Sequence, residues 1–230
     1  MPENEYDLGK VLLFDKPFRW TSFDVVRKVR NVTRSKKVGH AGTLDPLATG
    51  LLILCTGRLT KQIDRYQAQE KEYTGTLFLG ATTPSFDLET AIDETFDIHG
   101  ITERQILESA KQFTGEIMQR PPLHSAVNLA GERAYEKARR GESHEVPEKK
   151  VLITAFEITG IRLPYLDFRV VCGKGTYIRS LAHDFGQLMD CGAYLSALRR
   201  TRIGKFRIED AWDLDDLIAY IEEGPLAVQP

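Results

Sequence analysis

Gly39-His40-Ala41-Gly42-Thr43-Leu44-Asp45-Pro46-Leu47-Ala48-Thr49-Gly50 runs directly into Leu51-Leu52-Ile53-Leu54-Cys55. The second stretch is an uninterrupted apolar run of strand length, too short for a membrane span, and reads as a buried strand. The first is punctuated by three glycines and a proline around a single aspartate. Such spacing describes backbone held in specific turns. It is too apolar for a solvated loop and too interrupted for a core strand. An acid in this setting is either a turn-forming residue or a reactive carboxylate, and the turn role is the commoner one.

Outward from this segment the chain mixes strands and helices without a βαβ alternation. Lys10–Asp15 reads as a buried strand. Ser22 is placed to cap a helix carrying Val25, Val26, Val29 and Val32 at helical spacing. Residues 34–50 read as loop, and Glu72–Gly80 alternates as a strand. Thr102 and Gln105 form a capping box ahead of Ile106, Ala110 and Phe113. Glu132–Arg140 is expected to form a short charged helix. Val151–Ile161 and Asp167–Val171 read as strands, Thr176–Met189 and Asp213–Ile221 as helices. The pattern predicts an α+β fold with a central mixed, largely antiparallel sheet flanked by helices.

The 230 residues suit one large domain or two small ones, and 42% hydrophobic content supports a core without staples. The polar, acidic MPENEYDLGK start does not resemble a secretion signal, so the cytoplasm is the expected compartment. Cys55, Cys172 and Cys191 are few and scattered, which predicts buried free thiols and no metal site. The formal net charge of −2 hides an uneven distribution. Lys16, Arg19, Arg27, Lys28, Arg30, Arg34, Lys36 and Lys37 face only Asp24 within 16–40. Arg199, Arg200, Arg202, Lys205 and Arg207 have no acid among them. A positive face for phosphates is one reading, and solvated surface is the other.

The stretch GHAGTLDPLATGLLILCTGRLTK resembles the catalytic motif of the TruB family of pseudouridine synthases, which includes the Cbf5/dyskerin enzymes. Further segments resemble that family's motifs in order. They are Val11–Pro17 with Thr21-Ser22, and Lys71-Glu72-Tyr73. Pro121-Pro122-Leu-His-Ser125-Ala126 follows with Gly131, Tyr135 and Ala138-Arg139, then Lys174–Arg179 and Leu198-Arg199-Arg200-Thr201. The resemblance implies a pseudouridine synthase fold. It also implies isomerisation of uridine to pseudouridine at position 55 in the TΨC loop of tRNA, with base flipping and no cofactor or metal. By it, Asp45 is the catalytic acid, Tyr73 stacks on the target base, and Arg179 pairs with the acid. Lys174, Tyr177 and Leu198 line the pocket, and His40 sits where the loop of the RNA is remodelled. Asp87 matches the second acid of a motif whose first acid is here replaced by Pro84, and Asn128 stands where a lysine is common. On residues alone Tyr73 is a strand aromatic, Arg179 a helix-surface arginine and His40 a structural histidine. The resemblance further implies one catalytic domain over 1–230 without a C-terminal PUA domain. It implies tRNA as the partner through its T-arm, and no membrane and no obligatory protein partner. Two other readings are a non-catalytic RNA-binding or tRNA-folding module and a guide-RNA-dependent synthase. The joint presence of Asp45, Tyr73 and Arg179 argues against the first, and the expected lack of a PUA domain against the second.

Overall fold

The computed structural model describes residues 4–122, 128–129, 132–133, 140 and 146–223. The motif residues 123–126, Gly131, Tyr135, Ala138 and Arg139 lie outside them. The chain divides into two compact units, Met1–Glu72 with Arg199–Pro230, and Tyr73–Leu198.

In the first unit, α1 (Glu5–Leu8) leads into β1 (Val11–Lys16), α2 (Ser22–Thr33), β2 (Val38–His40), β3 (Thr49–Thr56), a 3-10 turn (Gly57–Gln62) and α3 (Ile63–Gln67). β3 pairs antiparallel with β1 and with β2. Every β3 residue after Thr49 is buried, which fits an apolar run covered on both faces. β1 alternates, turning Leu12, Phe14 and Lys16 inward. Leu12 and Phe14 join Val25, Val26 and Val29 of α2 in one core cluster with Leu52 and Leu54. On the other face Leu51, Ile53 and Cys55 pack with Ala41 and Ile203.

The cap of α2 differs from expectation. Thr21 caps the helix in a reciprocal box with Asp24. Ser22 becomes the first helical residue, and its hydroxyl goes elsewhere, as shown below.

In the second unit lie most of β4 (Lys71–Leu79), the β5 (Ala81–Thr82) and β6 (Glu94–Thr95) pair, α4 (Glu103–Lys111), β7 (Gly115–Gln119), β8 (Asn128–Leu129) and β9 (Glu132–Arg133). β10 (Lys149–Arg162), β11 (Tyr165–Cys172), α5 (Ile178–Leu188) and the start of β12 (Ala193–Ile203) follow. β7, β10 and β11 are antiparallel neighbours. Within this unit the strand order is β12-β4-β11-β10-β7. The capping box of Thr102 and Gln105 forms as expected. Phe113, Phe156, Phe168 and Phe185 meet through ring contacts near 6 Å that anchor the core. Gly186 is required where α5 approaches β12, because a Cβ there would lie 2.1 Å from the Ala193 nitrogen. Glu132–Arg133 pairs antiparallel with Asn128–Leu129 instead of opening a helix, and 134–139 lies outside the described residues.

The chain returns to the first unit with the end of β12, then β13 (Phe206–Arg207), a 3-10 turn (Ile208–Asp210) and α6 (Leu214–Glu223). Arg199 and Arg200 pair with Thr49 and Gly50 in parallel register, so the sheet is mixed, as the sequence predicts. β7 and β12 are not foreseen by the pattern. No helix among the described residues is long and apolar enough to cross a membrane. Cys55, Cys172 and Cys191 are free and buried.

Candidate functional site

In the first unit the Asp45 loop is fixed on both sides of the acid. Before it, the Leu44 N–H donates to Ser22 Oγ at 2.9 Å, and that hydroxyl lies 3.2 Å from the Leu44 carbonyl. After it, the Pro46 carbonyl accepts from the Arg19 N–H at 2.8 Å and from Lys16 Nζ at 3.3 Å. The same ammonium donates to the carbonyls of Trp20 at 2.6 Å and Pro17 at 3.0 Å. The Ala48 N–H closes the turn onto the Asp45 carbonyl at 3.1 Å.

Arg200 forms the floor. It is 1% exposed and donates to Leu51 O at 2.7 Å, Gly42 O at 3.1 Å and Thr43 O at 3.5 Å. A planar guanidinium presents its donors as a rigid fork, which suits three carbonyls held at fixed angles. Gly50, at φ +103°, passes so close that a Cβ would lie 2.3 Å from the Arg200 carbonyl oxygen. The Asp45 side chain is left half-buried, held by backbone constraints on its neighbours. Such pre-set geometry is what a reacting carboxylate requires.

Lys16 is wholly buried. Burial pushes its ammonium down to about 8, the Asp45 carboxylate pulls it back up, and Arg200 lowers it further. Below that pH the folded chain holds a buried charge. Between about 8 and 10.5 the unfolded chain keeps the proton and the folded one releases it, so the Lys16 contribution to stability rises with pH. Deprotonation also leaves two N–H donors for three carbonyls and removes a positive charge beside Asp45. Activity is therefore expected to fall along an alkaline limb near pH 8 while thermal stability does not fall with it. Lys16→Met should show a lower plateau without that limb. A pH–rate profile run beside thermal melts would check this. A wild-type limb that tracks melting would contradict it.

His40 ends β2 with its Nδ1 buried and without a hydrogen-bond partner among the described residues. Burial lowers its pKa, the Arg200 guanidinium lowers it further, and a backbone bond with Gly42 opposes both. The net shift is downward, which favours the neutral ring.

The basic clusters are less exposed than their count implies. Lys16 and Arg200 are interior. Arg199 pairs with Asp15 at 2.5 Å, and Arg202 with Glu70 at 2.8 Å. Arg19, Arg27, Arg30, Arg34, Lys36, Lys37, Lys205 and Arg207 remain exposed.

In the second unit Arg179 lies in the first turn of α5 and is 4% exposed, which rules out a helix-surface role. Its Nε lies 3.7 Å from an Asp87 carboxylate oxygen, and an Nη donates to Ser85 O at 3.2 Å. Asp87 is 5% exposed and also accepts the Glu89 N–H at 2.9 Å. Asp87 is thus an interior partner of Arg179, within a loop that keeps its hydrogen bonds with Pro84 in place. Tyr73 is buried near the start of β4. Tyr177 caps α5, exchanging two backbone bonds with the buried Gln119 side chain at 2.8 and 3.0 Å. Lys149 Nζ sits 4.5 Å from the Tyr177 ring centre. Lys174 is exposed in the turn before α5, and Leu198 is half-buried on β12.

Sequence reasoning missed Gln119 and Lys149, took Ser22 for a helix cap, and took Lys16 and Arg200 for surface charge. Only Lys16 carried a usable signal, its inward place in the Leu12, Phe14 alternation. Among the described residues no group of three or more His, Cys, Asp or Glu could hold a metal ion.

Residues 30–178 match the TruB family pseudouridylate synthase N-terminal domain, and 179–227 match the tRNA pseudouridylate synthase B C-terminal domain. The chain is 55% identical over 221 residues to a tRNA pseudouridine synthase B of Flavobacterium johnsoniae, covering 93% of this chain and 96% of that one. It is 47% identical over 228 residues to that of Chlorobaculum tepidum, covering 96% and 94%. Among solved structures it resembles a chain of a Cbf5-Nop10-Gar1 complex, with a TM-score of 0.74, 31% identity and 95% of this chain covered. It also resembles a chain of an H/ACA RNP bound to a substrate RNA containing 2'-deoxyuridine, with a TM-score of 0.73, 27% identity and 99% covered. It spans 57% and 59% of the lengths of those two chains. With a loop built rigidly around one half-buried aspartate and family matches that run through both units, the chain belongs to the TruB family of pseudouridylate synthases.

Proposed function

We propose that this protein isomerises uridine to pseudouridine in tRNA, at position 55 of the TΨC loop. The observation that carries this reading is Asp45, half-buried in a turn whose flanking residues are pinned by Ser22, Lys16 and Arg200. Breaking the N1–C1′ bond places positive character on C1′, which a fixed carboxylate stabilises or traps. The freed uracil turns and bonds to C1′ through C5. C5 then loses its proton while N1 gains one, so atoms and electrons balance without a redox partner. Tyr73 supplies the aromatic plane for the extruded base. Arg179, the interior partner of Asp87, is assigned to positioning the groups around the nucleotide. His40, with its unmatched Nδ1, is assigned to a contact with the remodelled RNA loop, and Lys174, Tyr177 and Leu198 to the lining around the nucleotide.

Sequence-specific recognition of RNA rests mostly on loops whose bases can be splayed and stacked. Purified protein alone, incubated with unmodified tRNA, should form pseudouridine at position 55 and nowhere else, as read by mass spectrometry or chemical labelling. Absence of product, or product only with a guide RNA, would overturn the proposal. The isolated T-arm should reach a kcat/KM within roughly one order of magnitude of whole tRNA, about 1.4 kcal/mol. A preference for whole tRNA of roughly a thousandfold, about 4 kcal/mol, would place contacts beyond the arm.

A further inference from the structure

At the start of α2 the first unit carries a cavity of about 320 Å³ lined by Arg19, Trp20, Asp24, Arg27, Lys28 and Asn31. That volume lies at the small end for a ligand pocket, the size of one nucleotide rather than of an extended ligand. Three cations surround it against one carboxylate, and that carboxylate is already engaged. Asp24 accepts from the Thr21 N–H at 3.0 Å and the Thr21 hydroxyl at 2.6 Å, and it pairs with Arg27 at 2.7 Å. The Trp20 indole packs on the core cluster of Phe14 and Val25, so it forms a rigid wall. Phe18 and Phe23, outside the lining, are 53% and 64% exposed, and the Arg19 guanidinium lies 5.5 Å from the Phe18 ring centre.

Arg19 adopts φ +66°, a left-handed conformation that an arginine rarely takes. The strain is held by its N–H bond to the Pro46 carbonyl, the residue after Asp45. The cavity is therefore tied by one hydrogen bond to the turn that carries the acid. Strained backbone kept in place by its surroundings is a feature of functional sites. Aromatic planes interleaved with arginine and lysine are the means by which proteins hold single-stranded RNA.

We propose that this cavity is a second nucleotide subsite. It takes one nucleotide of the same RNA strand, flanking the target, with its base against Trp20 and its phosphate on Arg27 and Lys28. The inference rests on the proposed action on tRNA.

The test compares Arg27→Ala/Lys28→Ala with Arg104→Ala/Lys111→Ala, which removes the same charge from the exposed face of α4. The pocket pair should raise KM for tRNA by about tenfold or more, with kcat within about twofold, and should flatten the salt dependence of binding by about one unit per lost phosphate contact. The α4 pair should change neither beyond about twofold. Asn31→Asp, which adds a charge without removing an internal bond, should act like the pocket pair and guards against a folding defect. In a Trp212→Phe background, RNA should quench the remaining Trp20 emission. The penalty should persist on the isolated T-arm. Equal losses in both pairs, a penalty that vanishes on the arm, or unquenched Trp20 would each overturn the subsite. Wild-type turnover on the same tRNA is measured first. Its absence would refute the proposed function, whereas turnover with unaffected pocket variants would refute the subsite alone.

Discussion

Asp45→Asn is expected to remove pseudouridine formation, by a factor of at least about 10³, while leaving tRNA affinity within about threefold. The asparagine keeps the shape of the side chain, and the neighbouring residues supply bonds that position the loop. Ser22 holds Leu44, Lys16 and Arg19 hold Pro46, and Arg200 holds Gly42 and Thr43. The fold should thus tolerate the change, and the loss should fall on the chemical step. Phosphate and shape contacts dominate affinity for RNA, so binding should persist. Single-turnover tritium release from C5-labelled tRNA, run beside filter binding, measures both. Turnover near the wild-type rate would remove Asp45 from the chemistry.

Arg179→Lys should lower turnover by about a hundredfold with tRNA binding within about threefold. The guanidinium reaches both the Asp87 carboxylate and the Ser85 carbonyl, and the compact ammonium cannot keep both at those angles. Lysine retains the charge, so Asp87 is not left buried and unpaired. Arg179→Ala would do that, at a cost of about 3–5 kcal/mol in stability. The two variants therefore separate a defect in positioning from a defect in folding. Unchanged turnover in Arg179→Lys with only a shallower salt dependence would make Arg179 an RNA backbone contact.

Local signals were legible wherever the physics was local. Val25, Val26 and Val29 face the core at the spacing a helix demands, and the Thr102–Gln105 box forms as written. Thr21 takes the cap of α2 because Asp24 lies at the reciprocal position, leaving the Ser22 hydroxyl free for Leu44. β12 escaped notice because its sequence AYLSALRRTRI carries three arginines, and its parallel pairing with β3 joins residues far apart in the chain. β7 is five residues with alternate positions exposed, too short to stand out. The position of the acid could be read through the family motif, but its clamps could not. Ser22 and Arg200 reach the loop across 22 and more than 150 residues of chain, and no local pattern records such distances.

That separation along the chain has a bearing on synthesis. The floor under Gly42 and Thr43 is an arginine made more than 150 residues after them, and the first unit closes only when residues 199 and 200 pair with Thr49 and Gly50. Contacts of such long range form late, because the entropy of closing the loop must be met before they contribute. A ribosome-bound fragment lacking β12 can form β1, α2 and β3 yet still lacks the Arg200 floor under the loop. Competence thus waits on residue 200, and chains interrupted before it carry the motif without the shaped loop.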